Sequence, residues 1–151
     1  MNIKRMTLAI MAMSCLASMP AAEKITSPDG KLTVIVDNEN GSPTYLVSFG
    51  DVVFVEKSPL GLKLNFEDLT KGLTLKECKV NPVKETYDLK TIKQSHVTYE
   101  ANVAVCQFEK GSTKMDIIFS VSNRDVAYRY KLYPRRARGG ETLAAIVIEE
   151  R

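Results

Sequence analysis

The sequence contains few of the residues from which most active sites are built. Its 151 residues include no tryptophan, one histidine and three cysteines. So few thiolate and imidazole ligands exclude a rich metal cluster held by cysteine and histidine. The formal charge of +3 is too small to indicate a nucleic-acid partner. A hydrophobic content of 44% is enough for a packed core, which argues against a wholly disordered chain.

The first part of the chain has the composition of a targeting segment. Lys4 and Arg5 precede an apolar run over residues 6–16, and small residues follow it. This order predicts a secretory signal peptide over residues 1–22, and the run is too short for a membrane span, which takes about 20 residues. Cys15 follows a loose version of the pattern before a lipidated bacterial cysteine, so a lipoprotein is the alternative. Either way we expect an exported protein, periplasmic or secreted, and cleavage lowers the charge of +3 by two, to +1.

The remainder, residues 23–151, is predicted to be a single all-β domain. Turn motifs that contain glycine recur every 9 to 11 residues between Gly30 and Gly72, which is typical of an antiparallel sandwich or barrel. Between the turns, apolar and polar residues alternate, as they do in half-buried strands. We count about ten strands by these criteria. The clearest cover residues 32–36, 45–49, 60–66, 115–121 and 126–132, and residues 97–108 form one long strand or two.

The last predicted strand, over residues 143–148, is apolar on both faces. Such a strand is typical of a position that is covered on both sides. Only three residues follow it in the sequence. We therefore expect the sandwich to be incomplete at its C-terminus.

No residue is assigned a catalytic, cofactor-binding or metal-binding role. His96 has no serine or cysteine partner that suggests a triad, so we expect a histidine at the surface. Cys78 and Cys106 remain after export. An oxidising compartment permits a disulfide between them, but two buried free thiols are the favoured state.

The remaining charged and aromatic groups are also interpreted as structural. The carboxylate pairs Glu67-Asp68 and Glu149-Glu150 are neighbours that point to opposite faces of a strand, so neither pair can flank a substrate. The arginine cluster is interpreted as a solvated hairpin turn, with an anion-binding or protease-sensitive loop as the alternative. Four tyrosines are candidates for stacking on sugars, without a motif to choose among them. The cluster comprises Arg135, Arg136 and Arg138, and the tyrosines are Tyr45, Tyr87, Tyr99 and Tyr133.

Three segments resemble glycoside hydrolase family 97 in the right order. Residues 27–34, Ser-Pro-Asp-Gly-Lys-Leu-Thr-Val, look like the start of those proteins after their signal peptide. Residues 58–64, Ser-Pro-Leu-Gly-Leu-Lys-Leu, resemble the next recurrent segment. Residues 123–130, Asn-Arg-Asp-Val-Ala-Tyr-Arg-Tyr, are similar to the family's Asn-Asp-Gly-Val-Ala-Phe-Arg-Tyr. Arg124 and Asp125 replace the usual Asp-Gly, and loss of the glycine predicts a different turn before the next strand.

The resemblance implies an exported bacterial α-glycosidase of the kind found in Bacteroidetes, most often an α-glucosidase and in some cases an α-galactosidase. Members of the family have an N-terminal β-supersandwich of the galactose-mutarotase type, a catalytic (β/α)₈ barrel and a small C-terminal β domain. Their catalytic carboxylates lie on the barrel, and glutamates hold a calcium ion near the substrate. A barrel alone takes about 250 residues, so this chain has no room for one. The resemblance therefore implies the N-terminal sandwich only, with no cofactor of its own.

The favoured interpretation is a truncated, non-catalytic domain that supports a missing barrel and meets carbohydrate only through the full enzyme. Alone, it is expected to be inactive. A stand-alone exported carbohydrate-binding sandwich is the alternative. A third possibility is an interaction protein whose open sheet edge pairs with another chain. The sequence leaves open the sugar, the stereochemical outcome, the signal cleavage site and the oligomeric state.

Overall fold

A computed structural model describes residues 22–88, 96–136 and 139–151. These residues contain thirteen β-strands and no helix. The predicted signal peptide, including Cys15, and the position of Arg138 lie outside the described residues. The strands are β1 (Glu23–Thr26), β2 (Leu32–Glu39), β3 (Ser42–Phe49), β4 (Val52–Pro59), β5 (Leu62–Leu64), β6 (Asp68–Leu69), β7 (Thr74–Asp88), β8 (His96–Lys110), β9 (Thr113–Ser122), β10 (Val126–Leu132), β11 (Arg135–Arg136), β12 (Thr142–Leu143) and β13 (Val147–Glu150).

Two four-stranded antiparallel sheets form the body of the fold. One has the order β1-β2-β3-β4 and the other β10-β9-β8-β7. Strand β2 lies against β9, and β1 lies against β8. A third sheet, β13-β5-β6, and the small hairpin β11-β12 complete the structure. The all-β, antiparallel sandwich predicted from the sequence is confirmed.

Alternation along the strands places the core between the two large sheets. On β9, the side chains of Met115, Ile117, Phe119 and Val121 are fully buried, and each contributes roughly 1.5–3 kcal/mol by leaving water. On β2, Leu32, Val34 and Val36 are buried on the facing side, and they belong to the same cluster. The predicted inward faces of residues 32–36 and 115–121 are thus confirmed.

The turns follow the predicted glycine chemistry. Asn40 and Gly41 link β2 to β3 with φ of 51° and 81°, the left-handed values that a two-residue hairpin turn requires. The turn before β10 contains no glycine, and its three central residues avoid positive φ. There the Ser122 hydroxyl accepts hydrogen bonds from the backbone N–H groups of Arg124 (3.1 Å) and Asp125 (3.0 Å). This side chain supplies the local bonding for a turn that lacks the family's glycine.

The predicted final strand over residues 143–148 is wrong as a single element. It is divided between β12 and β13, because Asn65 binds the backbone between them. Its amide oxygen accepts a hydrogen bond from the N–H of Ile146 (3.1 Å), and its backbone N–H donates to the Ile146 carbonyl (3.1 Å). The apolar side chains are not covered by the described residues: Ile146 is 60% exposed and Ile148 is 62% exposed.

Residues 97–108 belong to one long strand, β8, which is one of the two predicted forms. The opposite strand β7 is mostly exposed, and among the described strands it pairs only with β8. It lacks the clear alternation that predicted the other strands.

Candidate functional site

The structure joins Cys78 and Cys106 in a disulfide. The favoured interpretation of two free thiols is therefore wrong. The register of β7 against β8 places the two cysteines directly opposite each other, with Cα atoms 3.9 Å apart. That register depends on pairing across 28 residues, which local sequence patterns do not reveal.

His96 is exposed at the start of β8, as expected of a surface histidine. Its Nδ1 atom lies 2.8 Å from a carboxylate oxygen of Asp88, which is exposed on the paired end of β7. No nucleophile joins this pair among the described residues. The contact fits a cross-strand pair at a sheet end better than a general base.

The carboxylates predicted to be structural take part in local bonding. Glu67 lies 3.3 Å from the ammonium of Lys110 and 3.7 Å from the guanidinium of Arg135. Asp68 accepts hydrogen bonds from the hydroxyl (2.6 Å) and backbone N–H (3.0 Å) of Thr70, and these bonds lower the pKa of its carboxyl group. Within the described ranges, no group of three or more histidine, cysteine or acidic residues could hold a metal ion.

A cavity of about 660 Å³ lies where β9 begins and β10 ends. Its volume is within the range of small-molecule sites, about 300–1,000 Å³. Apolar side chains of β5, β10 and β12 line it together with hydroxyl and basic groups. The lining includes Leu64, Leu132, Leu143, Ser112, Thr113, Lys114, Tyr133, Arg135 and Arg136.

Two of the three clustered arginines reach this cavity. Arg135 and Arg136 form β11, which pairs with β12, so the interpretation of these two residues as a hairpin turn between the strands of Tyr128 and Ile146 is wrong. Both residues also contribute to the cavity lining. The Arg135 guanidinium also lies over the ring of Phe66, 5.5 Å from its centroid. That contact holds the charged group at the cavity wall.

Tyr133 is fixed at the same cavity by a buried carboxylate. Its hydroxyl donates a 2.7 Å hydrogen bond to Asp116, which is 2% exposed. The ammonium of Lys131 lies 3.7 Å from Asp116 and 4.8 Å from the centre of the Tyr133 ring. Asp116 therefore has a charge partner and a hydrogen-bond donor, and it positions the aromatic wall of the cavity.

The other three candidate tyrosines have different surroundings. Tyr45 packs against the rings of Phe119 (6.0 Å) and Tyr128 (5.5 Å) in the core. The Tyr99 hydroxyl bonds to Ser120 at 2.8 Å, and Tyr87 is exposed near the end of β7. Of the four, Tyr133 is the one that lines the cavity with the arginines. Sequence spacing gave no signal for this, because the cavity assembles from separated strands.

No helix in the described part of the chain has the length and apolar character needed to cross a membrane. The fold places the chain in the class of antiparallel β-sandwich domains. A family model described as "Glycosyl-hydrolase 97 N-terminal" matches residues 25–151. The chain belongs to this family, as the three sequence segments predicted.

Relatives with known structures have the same fold. A β-arabinopyranosidase is 38% identical with a TM-score of 0.74, over 85% of this chain and 20% of its own. A glycoside hydrolase family 97 enzyme from Pseudoalteromonas sp. strain K8, solved with panose and with acarbose, is 17% identical with a TM-score of 0.76, over 85% of this chain and 19% of its own. At that identity the second likeness shows the fold alone.

A curated relative is also similar. A probable retaining alpha-galactosidase of Streptomyces bingchenggensis is 28% identical over 146 residues, which cover 87% of this chain and 23% of the relative. The chain thus spans roughly a fifth of the length of the proteins that it matches.

Proposed function

We propose that this domain is a non-catalytic scaffold of an exported α-glycosidase, on which a catalytic barrel packs. The observation that carries the proposal is an apolar surface on the segment from β12 to β13. Ile146 and Ile148, which are two residues apart, are 60% and 62% exposed there. Exposed apolar groups of this kind mark a surface that packs against another part of a protein.

The position of this segment fits a contact between domains. Strand β13 pairs with β5, whose residues Leu62 and Leu64 belong to the core. A domain that covers β13 would therefore extend the buried core outward without rearranging the sandwich. Interfaces between domains of one chain typically bury about 600–1,500 Å².

The substrate in this proposal is an α-glycoside, and an α-glucoside is the specific prediction. The names of the similar proteins widen the set to be tested, since they include a probable retaining alpha-galactosidase and a β-arabinopyranosidase. Residues 1–22 act as the export signal, with lipidation at Cys15 as the alternative. Calcium, if required, binds in the complete enzyme rather than in this chain.

The first test is an assay of the purified chain on aryl α-glucosides, α-galactosides and β-arabinopyranosides with calcium present. We expect no turnover above a buffer control. Turnover that follows the protein through a final sizing column would refute the scaffold role. Calorimetry with panose and maltotriose tests the stand-alone binding module, which micromolar affinity would favour.

A chimera tests the scaffold role directly. Residues 25–151 of this chain replace the matching fifth of the β-arabinopyranosidase, and turnover is expected to persist. In the same chimera, Ile146→Asp with Ile148→Asp places two charges on the proposed contact surface and should lower activity and thermal stability. Asp substitutions at Asn81 and Thr86, two exposed neutral residues of β7, add the same two charges and serve as the control pair. Equal effects of the two pairs would contradict the proposed contact.

A further inference from the structure

The scaffold role does not explain the basic groups at the 660 Å³ cavity. Lys114, Arg135 and Arg136 all contribute to its lining. Arg136 is exposed and forms no ion pair with any carboxylate of the described ranges. Its guanidinium can therefore receive an anion without first breaking an internal contact.

Arg135 also retains capacity for a ligand. Among the described residues its one carboxylate neighbour is Glu67, which lies 3.7 Å away and is shared with Lys110 at 3.3 Å. A guanidinium has five N–H donors in a planar fork, so this contact leaves most of them available. The stack on Phe66 restricts the side chain, which lowers the entropy lost when it binds.

The rest of the lining suits a ring-shaped ligand better than a bare anion. Leu132 and Leu143 supply apolar contact area, and Tyr133 supplies an aromatic wall that is 38% exposed. Ser112 and Thr113 add hydroxyl groups to the lining. A pyranose has an apolar C–H face, which suits the apolar and aromatic side chains, and a rim of hydroxyls, which suits the hydroxyl groups of the lining.

We propose that this cavity binds a uronic acid, a pyranose that carries a carboxylate, with Arg136 pairing the carboxylate and Arg135 adding positive charge to the wall. The sugar ring lies against the cavity wall that Tyr133 and Leu143 form. The choice of a sugar over another organic acid rests on the proposed function in carbohydrate metabolism. The ligand would be an acidic branch or a terminal unit of a glycan.

The test uses the purified chain, labelled with ¹⁵N, and pairs of matched ligands. Methyl α-galacturonoside and methyl α-glucuronoside are compared with methyl α-galactoside and methyl α-glucoside, and with acetate. The proposal predicts that one or both uronides shift the amide signals of residues 112–114, 133–136 and 142–143, with a Kd on the order of 1 mM. The neutral glycosides and acetate should bind at least about tenfold more weakly.

Two variants locate the site. Arg136→Gln should weaken the uronide by about tenfold, because a hydrogen bond to a charged group is lost. Arg124→Gln is the control, since it removes the same charge at the opposite end of β9. The proposal would be overturned if neither uronide shifted the signals, or if a uronide bound no more tightly than its neutral partner or acetate. It would also be overturned if both variants changed the affinity for the uronide equally. The hydrolase assays of the scaffold role do not depend on these outcomes.

Discussion

The hydroxyl of Tyr130 is predicted to be one of the most important single polar groups for the stability of this domain. It accepts a hydrogen bond from the backbone N–H of Gly61 at 2.9 Å and donates one to the carbonyl oxygen of Arg151 at 2.8 Å. These bonds connect β10 with the third sheet. Burial raises the pKa of Tyr130 to about 12, which is consistent with a neutral, hydrogen-bonded phenol.

The substitution Tyr130→Phe removes both bonds and little volume. Gly61 is buried, so its N–H loses its partner, and an unsatisfied buried donor costs about 1–3 kcal/mol. Arg151 is exposed, so water can replace the bond to its carbonyl at little cost. We therefore expect the free energy of unfolding to fall by about 2 kcal/mol. With a slope of about 1.5 kcal/mol/M in urea, the midpoint should fall by more than about 1 M.

Urea unfolding followed by circular dichroism measures this effect. Tyr128→Phe is the matched control, because its ring neighbours Tyr130 at 5.8 Å and its hydroxyl has no hydrogen bond within the described residues. This substitution should change the free energy of unfolding by no more than about 0.5 kcal/mol. Equal midpoints for the two variants would show that the Tyr130 hydroxyl does not connect the sheets as described.

Three further predictions concern pH, the disulfide and one glycine. The pKa of Tyr130 is raised from the ordinary tyrosine value of 10.0 to about 12 in the folded state, so the stability that its neutral hydroxyl contributes is complete below pH 10 and is lost as the pH rises through 12. Between pH 9 and pH 11, the urea midpoint should therefore fall further in the wild type than in Tyr130→Phe, and parallel losses would contradict this. Replacing Cys78 and Cys106 together by alanine removes a cross-link between residues 28 positions apart, and the free energy of unfolding should fall by up to about 3 kcal/mol. A melting temperature that neither the double substitution nor a reductant changes would count against a formed disulfide. Gly61→Ala places a Cβ atom 2.5 Å from a carbonyl oxygen of β6 at a φ of 138°, so thermal melting should reveal a loss of more than about 2 kcal/mol. Gly30→Ala, with φ of 75° and open space around the added atom, should cost only about 1 kcal/mol, and the reverse order would refute the packing argument.

Much of the fold could be predicted because its signals are local. Period-two alternation on β2 and β9 identified the buried faces, since successive side chains of a strand leave on opposite sides. The Asn40-Gly41 turn was visible because few residues adopt positive φ at low cost. The three matched segments indicated the family because their residues resemble its recurrent segments.

The candidate site could not be predicted in the same way. Its walls come from β5, β9, β10 and β12, which are far apart in the sequence. The arginine cluster was interpreted as a solvated hairpin turn, whereas the place of Arg135 and Arg136 in β11 and the stack of Arg135 on Phe66 depend on how the strands meet. Asp116 gave no signal either, because it occupies an alternating position that patterning assigns to solvent.

The sequence by itself determined the class of fold and the main buried faces, because turn chemistry and strand alternation act over a few residues. Its resemblance to three known segments indicated the family. The tertiary structure decided the cysteine pairing, the division of residues 143–148 and the cavity beside the arginines. Each of these depends on the register between distant strands. A shift of one residue in that register would reverse which face every side chain occupies, and no short segment of the sequence determines it alone.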